Sequence, residues 1–96
     1  MKRQGDLLII KVDKLPEGVK GLNTRVLAEG EATGHKHELT GGEVYINGDQ
    51  LYFRVIEEDR STLNHPEHHP ITFSPGVYKV IRQKEYEPEG WRYVND

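Results

Sequence analysis

Apolar and polar residues alternate here in short runs that are broken every few positions by glycine, proline or asparagine, and no window of about eleven residues carries a helical period. Leu7-Leu8-Ile9-Ile10-Lys11-Val12 reads as a strand that stops before the turn signal Pro16-Glu17-Gly18. Extended character resumes at Thr24–Ala28, is interrupted at Gly30 as by a bulge, and continues over Ala32–Leu39. Thr40-Gly41-Gly42 turns the chain into Glu43–Ile46, and Asn47-Gly48-Asp49 separates that run from Gln50–Ile56, a hairpin signature. Residues 57–66 are polar and aperiodic and read as a loop. Further strands are expected at Pro70–Phe73, at Val77–Gln83 continuing toward Tyr86, and at Trp91–Val94, set off by Ser74-Pro75-Gly76 and Glu87-Pro88-Glu89-Gly90. The pattern predicts one all-β domain over residues 1–96, a small barrel or sandwich.

With 96 residues, such a domain removes only about 60–65% of its unfolded surface from water, so a metal or a partner chain, including a homo-oligomer, would add needed stability. There is no cysteine, which excludes disulfides, thiolate metal sites and cysteine nucleophiles. A net charge of −3 announces neither a nucleic-acid groove nor an anionic membrane surface. Lys79, Arg82, Lys84 and Arg92, interspersed with Tyr78, Tyr86 and Trp91, outline a basic aromatic surface, but Glu85, Glu87 and Glu89 counter it. No long apolar segment or leader pattern is visible, so a soluble, cytoplasmic protein is expected.

The chemistry concentrates in histidine. All five fall in Gly34-His35-Lys36-His37-Glu38 and His65-Pro66-Glu67-His68-His69. On an extended strand the i, i+2 pair His35 and His37 shares one face, about 6–7 Å apart along the backbone, close enough to converge on one ion. His68 would supply a third nitrogen, and His65 a fourth or an outer partner. His69 shares strand parity with Ile71 and Phe73 and is expected to pack. Glu67, between two candidate ligands, is placed to orient them or to act as a general base. Glu38 should face solvent. The bland alternative is a solvated strand and a polar loop whose imidazoles only meet nearby carbonyls.

The strings Arg3-Gln4-Gly5-Asp6, Leu15-Pro16-Glu17-Gly18, Gly30-Glu31-Ala32-Thr33-Gly34-His35-Lys36-His37, His65-Pro66-Glu67-His68 and Pro75–Tyr86 resemble a family of small, uncharacterised bacterial and phage proteins. That resemblance implies one compact domain with Gly-His-x-His and His-x-Glu-His patterns, and it favours His65 and His68 over His69. A partial second resemblance is to the first motif of cupins, approximated by Gly30, His35, His37, Glu43 and Gly48 with altered spacing, and it implies a cupin-like barrel with Glu43 as a carboxylate ligand. The second cupin motif places a histidine after a Pro-x-Gly turn, whereas here Pro75-Gly76 follows the last histidine.

Three neutral imidazoles leave a divalent ion's charge largely uncompensated and lower the pKa of its bound water, creating a hydroxide nucleophile. The expected function is therefore a metal-dependent hydrolase or hydratase acting on a small-molecule substrate. Zinc is the first expectation, and the same donors accept iron, nickel or manganese. The alternative is a non-catalytic β module in which the cluster binds a structural metal or mediates ligand, partner or subunit binding. A third reading is a metal-free, pH-responsive assembly protein.

Overall fold

The computed structural model describes residues 1–30 and 32–82, with the backbone of 84–87 and 90–93. The strands are β1 Lys2–Gln4, β2 Leu7–Val12, β3 Lys20–Leu22, β4 Val26–Glu29, β5 Lys36–Leu39, β6 Glu43–Asn47, β7 Gln50–Val55, β8 Ser61–His65, β9 His68–Phe73, β10 Gly76–Arg82, β11 Lys84–Glu87 and β12 Gly90–Tyr93. No helix occurs among the described residues. A six-stranded sheet, β1-β2-β10-β7-β6-β3, and a four-stranded sheet, β4-β5-β8-β9, are antiparallel throughout, and β11 pairs with β12 as a separate hairpin. Both larger sheets are open, so the architecture is sandwich-like. The barrel half of the expectation, with its cupin-like form, is not met. Neither sheet closes on itself, because β1 and β3, and β4 and β9, remain as edges.

The core lies between the sheets. Alternation in β2 turns Leu7 and Ile9 inward, and the same period places Val44, Phe53, Val55, Tyr78 and Val80 on the inner face of the larger sheet. Leu27, Ala28, Leu39, Leu63 and Phe73 meet them from the smaller one. At the centre, Phe53 stacks on its strand neighbour Tyr78 at 4.9 Å and takes the edge of Phe73 at 5.2 Å, and the Tyr78 hydroxyl donates to the Ser74 carbonyl. These rings join the layers by offset and edge-to-face packing.

Two tight turns have one recipe. In β1–β2 and β6–β7 the turn pair is Gly-Asp, with Gly5 and Gly48 at φ of 59° and 64°, a conformation open to glycine. Asn47 pairs with Gln50 as the last strand residues, so the second turn is centred one residue later than an Asn-Gly turn would be. Gly42 is required for another reason: at its φ of 90° a Cβ would stand 2.7 Å from the Arg54 carbonyl oxygen.

Several boundaries differ from expectation. The polar residues 61–65 form β8, and the second histidine window is the tight turn between β8 and β9. The strand expected from Ala32 begins only at Lys36, which leaves His35 in the preceding loop. The irregularity expected at Gly30 lies instead at Leu27, where the register slips between Val26 and Ala28, so both Leu27 and Ala28 are buried. A second slip places two residues of β9, His69 and Pro70, opposite Asn64 alone. It reverses side-chain parity, turning His68 toward the interior beside His65 and leaving His69 exposed, contrary to its expected packing role. The final strand is Gly90–Tyr93, paired with β11 rather than closing a main sheet. The side chains of the proposed basic aromatic surface beyond Arg82, and Val94, lie outside the described residues.

Candidate functional site

At one end of the sandwich the smaller sheet presents His37 from β5, His65 from β8 and His68 from β9, side by side across its inner face. His37 and His65 centroids are 4.3 Å apart, those of His65 and His68 4.5 Å, and those of His37 and His68 6.1 Å. His35 meets the edge of His65 at 5.6 Å. Four of the five histidines therefore assemble, with His37 deepest at 1% exposure and His35 at the rim.

The opposite sheet contributes what the histidine pattern did not reveal. In the hairpin Gln4-Gly5-Asp6, both polar side chains point inward and are buried. The Gln4 amide donates to the carbonyls of Leu63 and His69, each at 2.9 Å, and its Oε1 then faces His37 Nδ1 at 2.9 Å. The two donated bonds fix the amide's orientation, so His37 Nδ1 must carry the proton. When the ring is neutral, its Nε2 bears the lone pair. That atom stands 3.6 Å from Asp6 Oδ1, while Asp6 Oδ2 accepts a 2.8 Å hydrogen bond from Arg82 Nε. Neither Gln4 nor Asp6 was expected at the histidines, and Arg82, expected on a basic aromatic surface, instead bonds Asp6. The signal for the first two was a polar Gln-Gly-Asp turn directly before an apolar run.

Glu67 holds two histidines at once. Its carboxylate lies 3.1 Å from His35 Nδ1, which must donate to it, leaving the lone pair on His35 Nε2. Its backbone N–H donates to His65 Nδ1 at 3.0 Å. His65 thus spends its lone pair on the turn, and when neutral its Nε2 is a donor. His68 Nε2 is buried and has no hydrogen-bond partner among the described residues. Such an atom calls for a water or an ion. His35 and His37 each anchor Nδ1 on a side-chain oxygen, the arrangement by which outer partners orient ligating imidazoles.

The rings meet face to face and edge to face. Accordingly, among the described residues no three histidine or carboxylate side chains stand with their donors already gathered around one ion position. Glu38 is exposed, as expected. Glu43, the carboxylate of the cupin comparison, is remote in role from the histidines: it accepts from Arg54 and from the Tyr45 hydroxyl on the outer face of the larger sheet. Those hydrogen bonds, Arg54's first, hold its carboxyl below the ordinary range.

A family model described as a domain of unknown function (DUF8820) matches residues 3–83, and the chain belongs to that family. Neither the curated proteins nor the solved structures provide a match. No helix among the described residues is long and apolar enough to cross a membrane.

Proposed function

We propose that this member of the family is a divalent-metal-binding β module whose ion is held by the Nε2 atoms of His35, His37 and His68. His65 serves as the turn-bound neighbour that separates the rings in the arrangement described above. The observation that carries this reading is the shared tautomer of His35 and His37. Each is oriented through Nδ1 by an oxygen, Glu67 Oε1 or Gln4 Oε1, so both lone pairs sit on Nε2. With His35 and His37 held through Nδ1, gathering the donors needs the His68 ring to turn about χ2, a broad torsion, and the His65 ring to move aside. Zinc fits an all-imidazole set, with iron, nickel and manganese as competitors.

Protein purified without a histidine tag should bind one equivalent of zinc. At a free zinc concentration of 100 Kd the folded state should gain about 2.7 kcal/mol, seen as a rise in melting temperature. His37→Ala or His35→Ala should each weaken zinc binding by more than about 100-fold, beyond the effect usual for an outer partner. Unchanged stoichiometry and affinity in both variants would sink the assignment.

One observation favours a catalytic version of the site. His35 lines a groove with Gly34, Asn64, His65 and Pro66, and its Nδ1 pairs with the 58% exposed Glu67. A water on an ion held there would face solvent, with Glu67 as its base, giving hydrolase or hydratase chemistry on a small molecule. In that version Glu67→Gln, which keeps the oxygen acceptor for His35, retains metal and loses rate in ester, phosphoester or carbon dioxide hydration assays. Full activity in the variant would remove Glu67 from the chemistry.

A further inference from the structure

An antiparallel sheet with one side in water alternates inward apolar residues with outward polar ones. The smaller sheet does so: its outward positions include Lys36, Glu38, Asn64 and Thr72, all exposed. The larger sheet does not. Its strand β2 opens with four aliphatic residues in succession, so Leu8 and Ile10 face outward while Leu7 and Ile9 enter the core. The register with β10 sets Val12 beside Val77, Ile10 beside Lys79 and Leu8 beside Ile81, and β7 adds Tyr52 next to Lys79. Leu8, Ile10, Val12, Val77, Ile81 and Tyr52 therefore form one outward apolar patch, each of them half-buried. Contiguous apolar surface of this kind marks a contact with another molecule or segment.

Residues 83–96 have the chemistry to cover it. The β11–β12 register sets Tyr86 opposite Trp91 and Lys84 opposite Tyr93, so three aromatic residues occupy cross-strand positions of one parity. A two-stranded hairpin is marginal in water unless it packs on something. The segment also holds four acids, Glu85, Glu87, Glu89 and Asp96, against Lys84 and Arg92, whereas the patch has Lys79 in its middle row and Arg3 opposite Leu8 at its rim. Two residue steps from Arg82 to Lys84 reach at most about 7 Å, short of the roughly 10 Å between packed sheets, so β11 cannot begin over the outer face of its own sheet. We propose that this face seats the β11–β12 hairpin of a second copy of the chain, the two hairpins being exchanged reciprocally about a two-fold axis. The histidines lie on the inner face of the other sheet, so the dimer does not depend on metal.

The test uses the full chain in a dilution series, with mass from sedimentation equilibrium and emission from Trp91, the single tryptophan, read on the same samples. Mass should fall from two chains to one, and the emission should move to the red with the same midpoint as the indole enters water. Ile10→Glu puts a carboxylate on the patch and should be monomeric where the wild type is dimeric. Lys79→Glu alters a side chain already partly open to solvent; with an unchanged circular dichroism spectrum it should weaken the dimer at least about tenfold, because it sets like charge against the acids of the hairpin. Glu38→Ala, on the polar face of the smaller sheet, should dimerise as the wild type does. A full chain that stays monomeric at every concentration overturns the proposal, and buried-indole emission from that monomer would place the hairpin on its own chain. Dimerisation unaltered by both Ile10→Glu and Lys79→Glu, or a dimer that dissociates with no change in Trp91 emission, overturns it equally.

Discussion

Phe53→Ala should destabilise the domain by about 4 kcal/mol, within the 3–5 kcal/mol usual for truncating a buried phenylalanine. Its ring is fully buried and touches both Tyr78 and Phe73, so removing it opens a cavity where the two sheets meet and leaves only the direct Phe73–Tyr78 contact of the three-ring cluster. In a domain of this size each kcal/mol moves the melting temperature by about 4–8 °C, so the expected fall is roughly 16–32 °C. Phe53→Leu, which keeps most of the volume, should cost under half as much. Chemical denaturation of both variants checks the ranking, and a loss below about 1 kcal/mol for the alanine variant would contradict the central place of Phe53.

Gln4→Ala should cost about 3 kcal/mol although no apolar core residue is touched. The substitution strips partners from the Leu63 and His69 carbonyls and from His37 Nδ1, and each buried group left unsatisfied costs about 1–3 kcal/mol, partly offset by entering water. The adjacent Arg3, exposed on the same strand, is the control: Arg3→Ala should stay within about 0.5 kcal/mol. Equal small effects at both positions would mean that Gln4 does not tie the sheets together. A large loss at Gln4 would also explain why a buried polar residue ends β1, three positions before the β2 apolar run.

The strands legible in the chain are those whose burial wrote a pattern. Leu7–Val12, Glu43–Asn47 and Gln50–Val55 were anticipated to within about a residue because each sends alternate side chains into the core; Gly76–Arg82 was anticipated for the same reason, but its expected continuation toward Tyr86 is a separate strand, Lys84–Glu87. Lys2–Gln4 and Lys20–Leu22 are three-residue edges, and Lys20–Leu22 is exposed throughout, so they carry no such pattern. Ser61–His65 was hidden because its inward positions are Ser61, Leu63 and His65, only one of them apolar. In the site, clustering within the sequence identified the histidines. It could not identify which face His68 and His69 take, because a bulge sets that parity, nor the partners Gln4 and Asp6, which lie 33 residues from His37 and 76 from Arg82 respectively. Those contacts are made by tertiary packing of one sheet on another, and no local spacing rule encodes them.

The central claim is that His35 and His37 reserve Nε2 for one metal ion. Long-range proton–nitrogen NMR correlation of the imidazoles, recorded without and then with one equivalent of zinc, reads this directly. The account predicts the Nδ1–H tautomer for His35 and His37 and the Nε2–H tautomer for His65 before zinc is added, with the Nε2 resonances of His35, His37 and His68 moving together on addition. A protonated Nε2 on neutral His37, or three Nε2 resonances unmoved by zinc, would contradict it.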